Sequence, residues 1–154
     1  MFLFCYGSLE FAEVMREVTG RTFAGEPAEL DGFARYRVRD ADYPGLLPEP
    51  GARTKGTLYR AVDDAALAAL DRFEGPLYER RSLEVRVAGG ERRPASVYVV
   101  RETQRDLLTR EPWDERTFAW DRLEAFLRRI RLHWRGVRPG EDRRPRLRRL
   151  PLRG

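Results

Sequence analysis

Two short strings in this chain carry residue types that could do chemistry. The first is Tyr6-Gly7-Ser8-Leu9. An apolar run over 2–6 stops at Gly7, and Phe11, Val14, Met15 and Val18 follow at helical spacing. A strand that turns sharply through glycine into a helix leaves the amides of residues 7–10 without intrahelical partners. Those donors, at the positive end of a helix, suit a carboxylate or an oxyanion, and Gly7 would let backbone approach a ligand closely. The same string also fits a plain tight turn in which Ser8 caps the helix. The second string runs from Asp71 to Arg80, with Glu74 at its centre. Glu74 closes a helix that Gly75-Pro76 cannot continue, among apolar Phe73, Leu77 and Tyr78. A carboxyl partly buried there would be pushed up toward neutrality, as a general base requires. An exposed glutamate beside a turn is the other reading.

Other chemistries find little support. The sole histidine, His133, sits in a charged helix end, which argues against a metal cluster or a Ser/His triad. Cys5 is also alone, so no intrachain disulfide forms. It reads as a core residue of a protein in a reducing, cytoplasmic setting. No phosphate-loop or dinucleotide glycine pattern is present. Arg80 and Arg81 could hold a substrate carboxylate or simply begin a solvated strand. Trp113, Trp120 and Trp134 read as packing residues.

The elements that would position these strings follow from periodicity. With 154 residues the chain has the size of one domain, assigned to 1–135. An arginine- and proline-rich tail occupies 136–154. The net charge of +5 belongs to the end of the chain: residues 135–154 hold eight arginines against Glu141 and Asp142. Such a tail can bind acidic surfaces nonspecifically, and no specific nucleic-acid partner is expected. No run has the length of a transmembrane helix, so no membrane partner is expected, and the N-terminus reads as a strand rather than a signal peptide. No feature sets the oligomeric state.

After the first strand and helix, residues 22–39 suggest two strands joined near Asp31-Gly32. Tyr43-Pro44-Gly45 and Pro48-Glu49-Pro50-Gly51 suggest a long irregular loop. A strand over 55–62 leads to Asp63, which caps a short helix carrying Leu67 and Leu70 and ending near Phe73. Leu83, Val85 and Val87 alternate with polar residues as a half-buried strand, which turns at Gly89-Gly90 and returns over 95–100. Trp120, Leu123, Leu127, Ile130 and Trp134 mark a closing amphipathic helix. This order is not the regular alternation of a doubly wound sheet. It predicts an α+β fold: a small mixed, mostly antiparallel β-barrel with flanking helices.

The strings FLFCYGSL, YPGLLP, GTLYRAV, LDRFEGPLYERR and ASVYVV, in this order and spacing, resemble the γ-glutamyl cyclotransferase-like superfamily, and especially its AIG2-like and γ-glutamylamine cyclotransferase branch. WDERTFAWDRLEAFL is similar to the closing helix of AIG2-like members, so the resemblance spans about residues 2–130. It implies that Tyr6, Gly7, Ser8 and Leu9 form the substrate-binding loop and that Glu74 stands at the family's catalytic glutamate. Tyr43 and Tyr78 are further candidates for the cavity lining. The implied activity is that of an acyltransferase-type cyclising enzyme. The α-amine of a γ-glutamyl amine, amide or peptide attacks its own γ-carbonyl, releasing 5-oxoproline with Glu74 as general acid/base and with no cofactor or metal. The alternative is a non-catalytic module that binds a small molecule or a partner through the same cavity. The arginine-rich tail has no counterpart in this resemblance.

Overall fold

The computed structural model describes residues 1–134. The tail over 136–154 and the domain boundary expected at 135 lie outside them. The chain opens with β1 (Leu3–Cys5), a 3₁₀ turn (Ser8–Glu10) and helix α1 (Ala12–Thr19). Two long strands, β2 (Gly25–Val38) and β3 (Pro44–Tyr59), come next, followed by α2 (Asp64–Glu74) and a second 3₁₀ turn (Gly75–Leu77). Then follow β4 (Tyr78–Val87), β5 (Arg92–Val100), a third 3₁₀ turn (Glu102–Leu107) and β6 (Leu108–Pro112). The described chain closes with α3 (Glu115–Thr117), a π turn (Phe118–Arg122) and α4 (Leu123–Trp134).

The sheet runs β3-β1-β5-β4-β2-β6, and an added β3–β2 pairing closes five strands into a barrel. Among the described residues only β1 and β5 pair in parallel, with Leu3 opposite Ser96. This is the mixed, mostly antiparallel barrel with flanking helices that the order of elements predicts. Successive side chains on a strand point to opposite faces, and the two apolar clusters follow that alternation. Phe4, Leu58, Val85, Val97 and Val99 fill the barrel. Leu3, Cys5, Tyr98 and Val100 face the other way, beneath Met15, Leu67, Leu70, Phe126 and Ile130 of the helices.

Four expectations change in the structure. Residues 22–39 form one strand, not two. Gly32 takes φ 82° and produces a register shift between Asp31 and Phe33, so the glycine makes a bulge in a continuing strand instead of reversing the chain. The expected irregular loop over 43–51 belongs to β3, which pairs with β2 from Gly25↔Tyr59 to Arg37↔Pro44. Its prolines are tolerated because β1 pairs only with Thr57–Tyr59, leaving the proline-bearing part an edge. Ser8 does not cap α1. Phe11 occupies that position, and Ser8 begins the preceding 3₁₀ turn, because Phe11 takes extended backbone (φ −81°, ψ 123°) between the turn and the helix. The strand expected over 55–62 also stops at Tyr59.

Elsewhere the local chemistry works as read. Asp63 caps α2 by accepting from Ala66 N–H at 3.0 Å. Gly20 ends α1 in the left-handed conformation at φ 76°. Gly89 and Gly90 at φ 88° and 84° make the two-glycine hairpin turn.

Candidate functional site

Tyr6, Gly7, Ser8, Leu9, Tyr43, Glu74 and Tyr78, all singled out from sequence, meet around one hollow of about 40 Å³. Tyr6, Gly7, Ser8 and Leu9 form one wall, Tyr43 and Pro44 of the β3 entry another, and Phe73, Glu74 and Tyr78 a third. The hollow sits where β1 gives way to the 3₁₀ turn, so it draws on both layers: Phe4 and Tyr6 from the barrel, Cys5 and Tyr98 from the helix-covered face. Phe126 of α4 completes the lining.

The loop is held at its carbonyls by side chains from β2 and β3. Arg35 Nη1 donates to the Tyr6 carbonyl at 2.7 Å. The buried Tyr59 hydroxyl reaches the carbonyls of Leu9 at 2.9 Å and Glu10 at 3.1 Å. Tyr6 donates its own hydroxyl to the Tyr98 carbonyl, and Tyr78 donates to the Pro44 carbonyl at 2.6 Å. The phenols of Tyr6 and Tyr78 thus brace the walls. Within the turn, Glu10 N–H returns to the Gly7 carbonyl at 3.0 Å and Phe11 N–H to that of Ser8 at 3.1 Å. The amides ahead of Glu10 precede the first bond the turn can close.

Gly7 is required for a different reason from the one its sequence context suggests. Its φ is negative, at −140°, and a Cβ there would stand 2.8 Å from Pro44 Cγ and 2.9 Å from Cδ. The close approach is to the opposite wall, which fixes how far apart the two walls stand.

Glu74 is the last residue of α2 and half-buried. Gly75 follows at φ 59° and ψ −155°, a conformation open to glycine, and ends the helix there. The Glu74 charge is felt at two neighbours. Burial first, then Glu74, push the Cys5 thiol up. Burial, the bond to Asp71 and then Glu74 push the Tyr98 phenol up. The carboxylate therefore acts electrostatically across the hollow on β1 and β5.

Tyr98 is a polar lining residue that the sequence reading missed. Its hydroxyl donates to Asp71 Oδ1 at 2.7 Å, and Arg80 grips the same carboxylate at 3.0 and 3.2 Å. One signal was present: Tyr98 alternates with Val97 and Val99, so its face is opposite to theirs. Cys5, read as core, is buried and also lines the hollow. Arg80 and Arg81 do not line it. Arg80 serves Asp71, and Arg81 lies 5.9 Å from the centroid of Phe33.

Comparison with known proteins adds to this geometry. Residues 3–115 match the family model described as gamma-glutamyl cyclotransferase, AIG2-like. The chain belongs to that family. One relative, AIG2-like protein C of Arabidopsis thaliana, is 36% identical over 83 residues, covering 54% of this chain and 48% of its own. The chain thus spans about half the length of that curated relative. A solution structure of an Arabidopsis thaliana protein superimposes with a TM-score of 0.65 at 28% identity, over 87% of this chain and 82% of its own. A gamma-glutamyl cyclotransferase structure has a TM-score of 0.58 at 18% identity over 65% and 66%, a likeness of fold. This AIG2-like chain therefore has the family's barrel. Among its described residues, no helix is long and apolar enough to cross a membrane.

Proposed function

We propose that this chain is a γ-glutamyl cyclotransferase that releases 5-oxoproline from a γ-glutamyl amine, amide or peptide in a reducing, cytoplasmic setting. The observation that carries the reading is that Glu74 and the Tyr6–Leu9 loop, far apart in sequence, line the same hollow. In the reaction the substrate's α-amine forms a bond to its own γ-carbonyl carbon. The bond from that carbon to the leaving nitrogen breaks. Glu74 takes the proton that the amine sheds and delivers it to the leaving nitrogen, so the residue ends as it began. Such positioned acid/base help is worth about 10²–10⁴-fold.

Ring closure also needs the γ-glutamyl chain curled on itself. A loop pinned at the carbonyls of Tyr6, Leu9 and Glu10 suits that task, because it spends little entropy when substrate binds. The Ser8 and Leu9 amides are the donors for the α-carboxylate or the developing oxyanion. The hollow has room for about three waters, so this reading seats only the reacting end and leaves the amine or amino acid outside. Neither a metal nor a cofactor enters the scheme.

The test is 5-oxoproline release from a panel of γ-glutamyl amines, amides and peptides, with Glu74→Gln beside the parent. The expected result is product from at least one substrate and a loss of about 10²–10⁴ in kcat for the variant at unchanged folding. Binding of panel members without any product, in well-folded protein, would assign the hollow to a non-catalytic module.

A further inference from the structure

Three of the phenols on the hollow are already committed. Tyr6 gives its proton to the Tyr98 carbonyl, Tyr78 to the Pro44 carbonyl at 2.6 Å and Tyr98 to Asp71 Oδ1 at 2.7 Å. A phenol has one proton, so none of these can donate to a ligand without releasing the wall it braces. Ser8 differs. The residue is only 7% exposed and lines the same hollow. A buried hydroxyl normally finds a partner, as Thr54 does on the Phe33 carbonyl at 2.9 Å and Thr57 on Glu10 Oε1 at 3.2 Å. The Ser8 hydroxyl makes no hydrogen bond among the described residues, and its oxygen is not sealed in the packing. Nor does it cap α1, whose cap position belongs to Phe11.

The surroundings give such a hydroxyl weight. Among the described residues, no arginine, lysine or histidine lines the hollow. Negative charge that a substrate brings there, or develops there, falls to neutral donors. Phe4, Leu9, Pro44, Phe73 and Phe126 make much of the wall apolar, and a donor in apolar surroundings acts more strongly than in water.

We propose that Ser8 is a second catalytic residue beside Glu74, its Oγ–H donating to the substrate's γ-carbonyl oxygen as that oxygen takes on charge. This rests on the cyclotransferase reading of the hollow and divides the donors within it. The successive amides of Ser8 and Leu9 suit the two oxygens of the α-carboxylate. The hydroxyl turns about a single bond, so it can follow the carbonyl oxygen as its carbon passes from planar to tetrahedral. When the amine nitrogen bonds to the γ-carbon, the carbonyl π pair moves onto oxygen, and Ser8 holds that charge while keeping its own proton. The pair returns as the bond to the leaving nitrogen breaks, and Glu74 supplies that nitrogen's proton. The charge exists only on the way through, so the hydroxyl acts on kcat more than on substrate binding.

The experiment measures kcat and KM of Ser8→Ala on a γ-glutamyl substrate that the parent turns over, with urea unfolding of both proteins. The expected result is a kcat lower by about 10²-fold with KM little changed. The urea midpoint should be equal or higher, because the hydroxyl removed has no partner in the folded chain. Ser8→Cys fills much the same volume with a weaker donor and should lose about tenfold or more, which keeps the test open should Ser8→Ala fold poorly. A parent-like kcat in either variant would overturn the proposal and leave the reaction standing. So would a loss confined to KM, which would move the hydroxyl to the α-carboxylate, or a loss of kcat matched by a fall in the urea midpoint, which would make it a brace of the turn. No product from the parent would remove the reaction and the proposal with it.

Discussion

Removing one charge next to the Tyr6–Leu9 loop should stabilise this protein, and only above a certain pH. Glu10 follows the loop directly. Its Oε1 receives the Thr57 hydroxyl at 3.2 Å, while Oε2 is buried without a hydrogen-bond partner. Burial first, then the facing Glu115 carboxylate of α3, push Glu10 up from 4.5 to about 7, against the Thr57 bond and the Arg35 charge. A carboxyl raised in this way holds a proton in the folded chain that the unfolded chain has already released. Its contribution to stability is therefore fully present below about pH 4.5 and is lost as pH climbs through about 7. At about 1.4 kcal/mol per unit, the shift sets a ceiling of about 3 kcal/mol. Relaxation of the partly exposed side chain brings the expected effect to about 1–2 kcal/mol. Glu10→Gln keeps the shape, keeps an acceptor for Thr57 and offers Glu115 an amide donor in place of a second negative charge. Urea unfolding of parent and variant at pH 4.5 and pH 8 reads the difference directly. The variant should be about 1–2 kcal/mol more stable than the parent at pH 8, with the gap largely closed at pH 4.5. A gap of the same size at both pH values, or none at pH 8, would refute the placement of a strained carboxyl beside the loop.

Further outcomes follow from the packing. Gly7→Ala places a methyl group 2.8 Å from Pro44 Cγ. The loop must retreat from the opposite wall, so 5-oxoproline formation should fall by about 10–10² while the thermal midpoint moves by only a few degrees. Gly56→Ala places its methyl group 2.3 Å from the Cys5 carbonyl oxygen, a backbone atom that cannot easily give way. It should destabilise the barrel by about 2–4 kcal/mol or prevent folding, as read by circular dichroism and urea titration. Tyr98→Phe leaves Asp71 with Arg80 alone. It should cost about 1–2 kcal/mol in urea unfolding.

The site was more legible in the sequence than the strands that carry it. Gly7 after an apolar run and Glu74 before Gly75-Pro76 are local signals, because a chain stop is written in the residues that make it. The same holds for the Asp63 cap, the Gly89-Gly90 turn and the alternation of Leu83, Val85 and Val87. The middle of the chain was misjudged for one reason. Asp31-Gly32 and the prolines between 44 and 50 look like punctuation, and whether a positive φ gives a bulge or a reversal depends on the strand lying alongside. Likewise Pro44, Pro48 and Pro50 can sit in a strand only because no neighbour needs their missing N–H groups, which is a property of the sheet.

Sequence alone therefore determined the helices, the tight turn at Gly7 and the helix end at Glu74, because these depend on contacts within a few residues. Tertiary structure decided what only closure of the barrel can set. It brought Glu74 to the Tyr6–Leu9 turn and turned Tyr98 from a strand residue into a wall of the hollow. Each of those outcomes joins segments at least 20 residues apart, and no local propensity encodes the pairing register that brings them together.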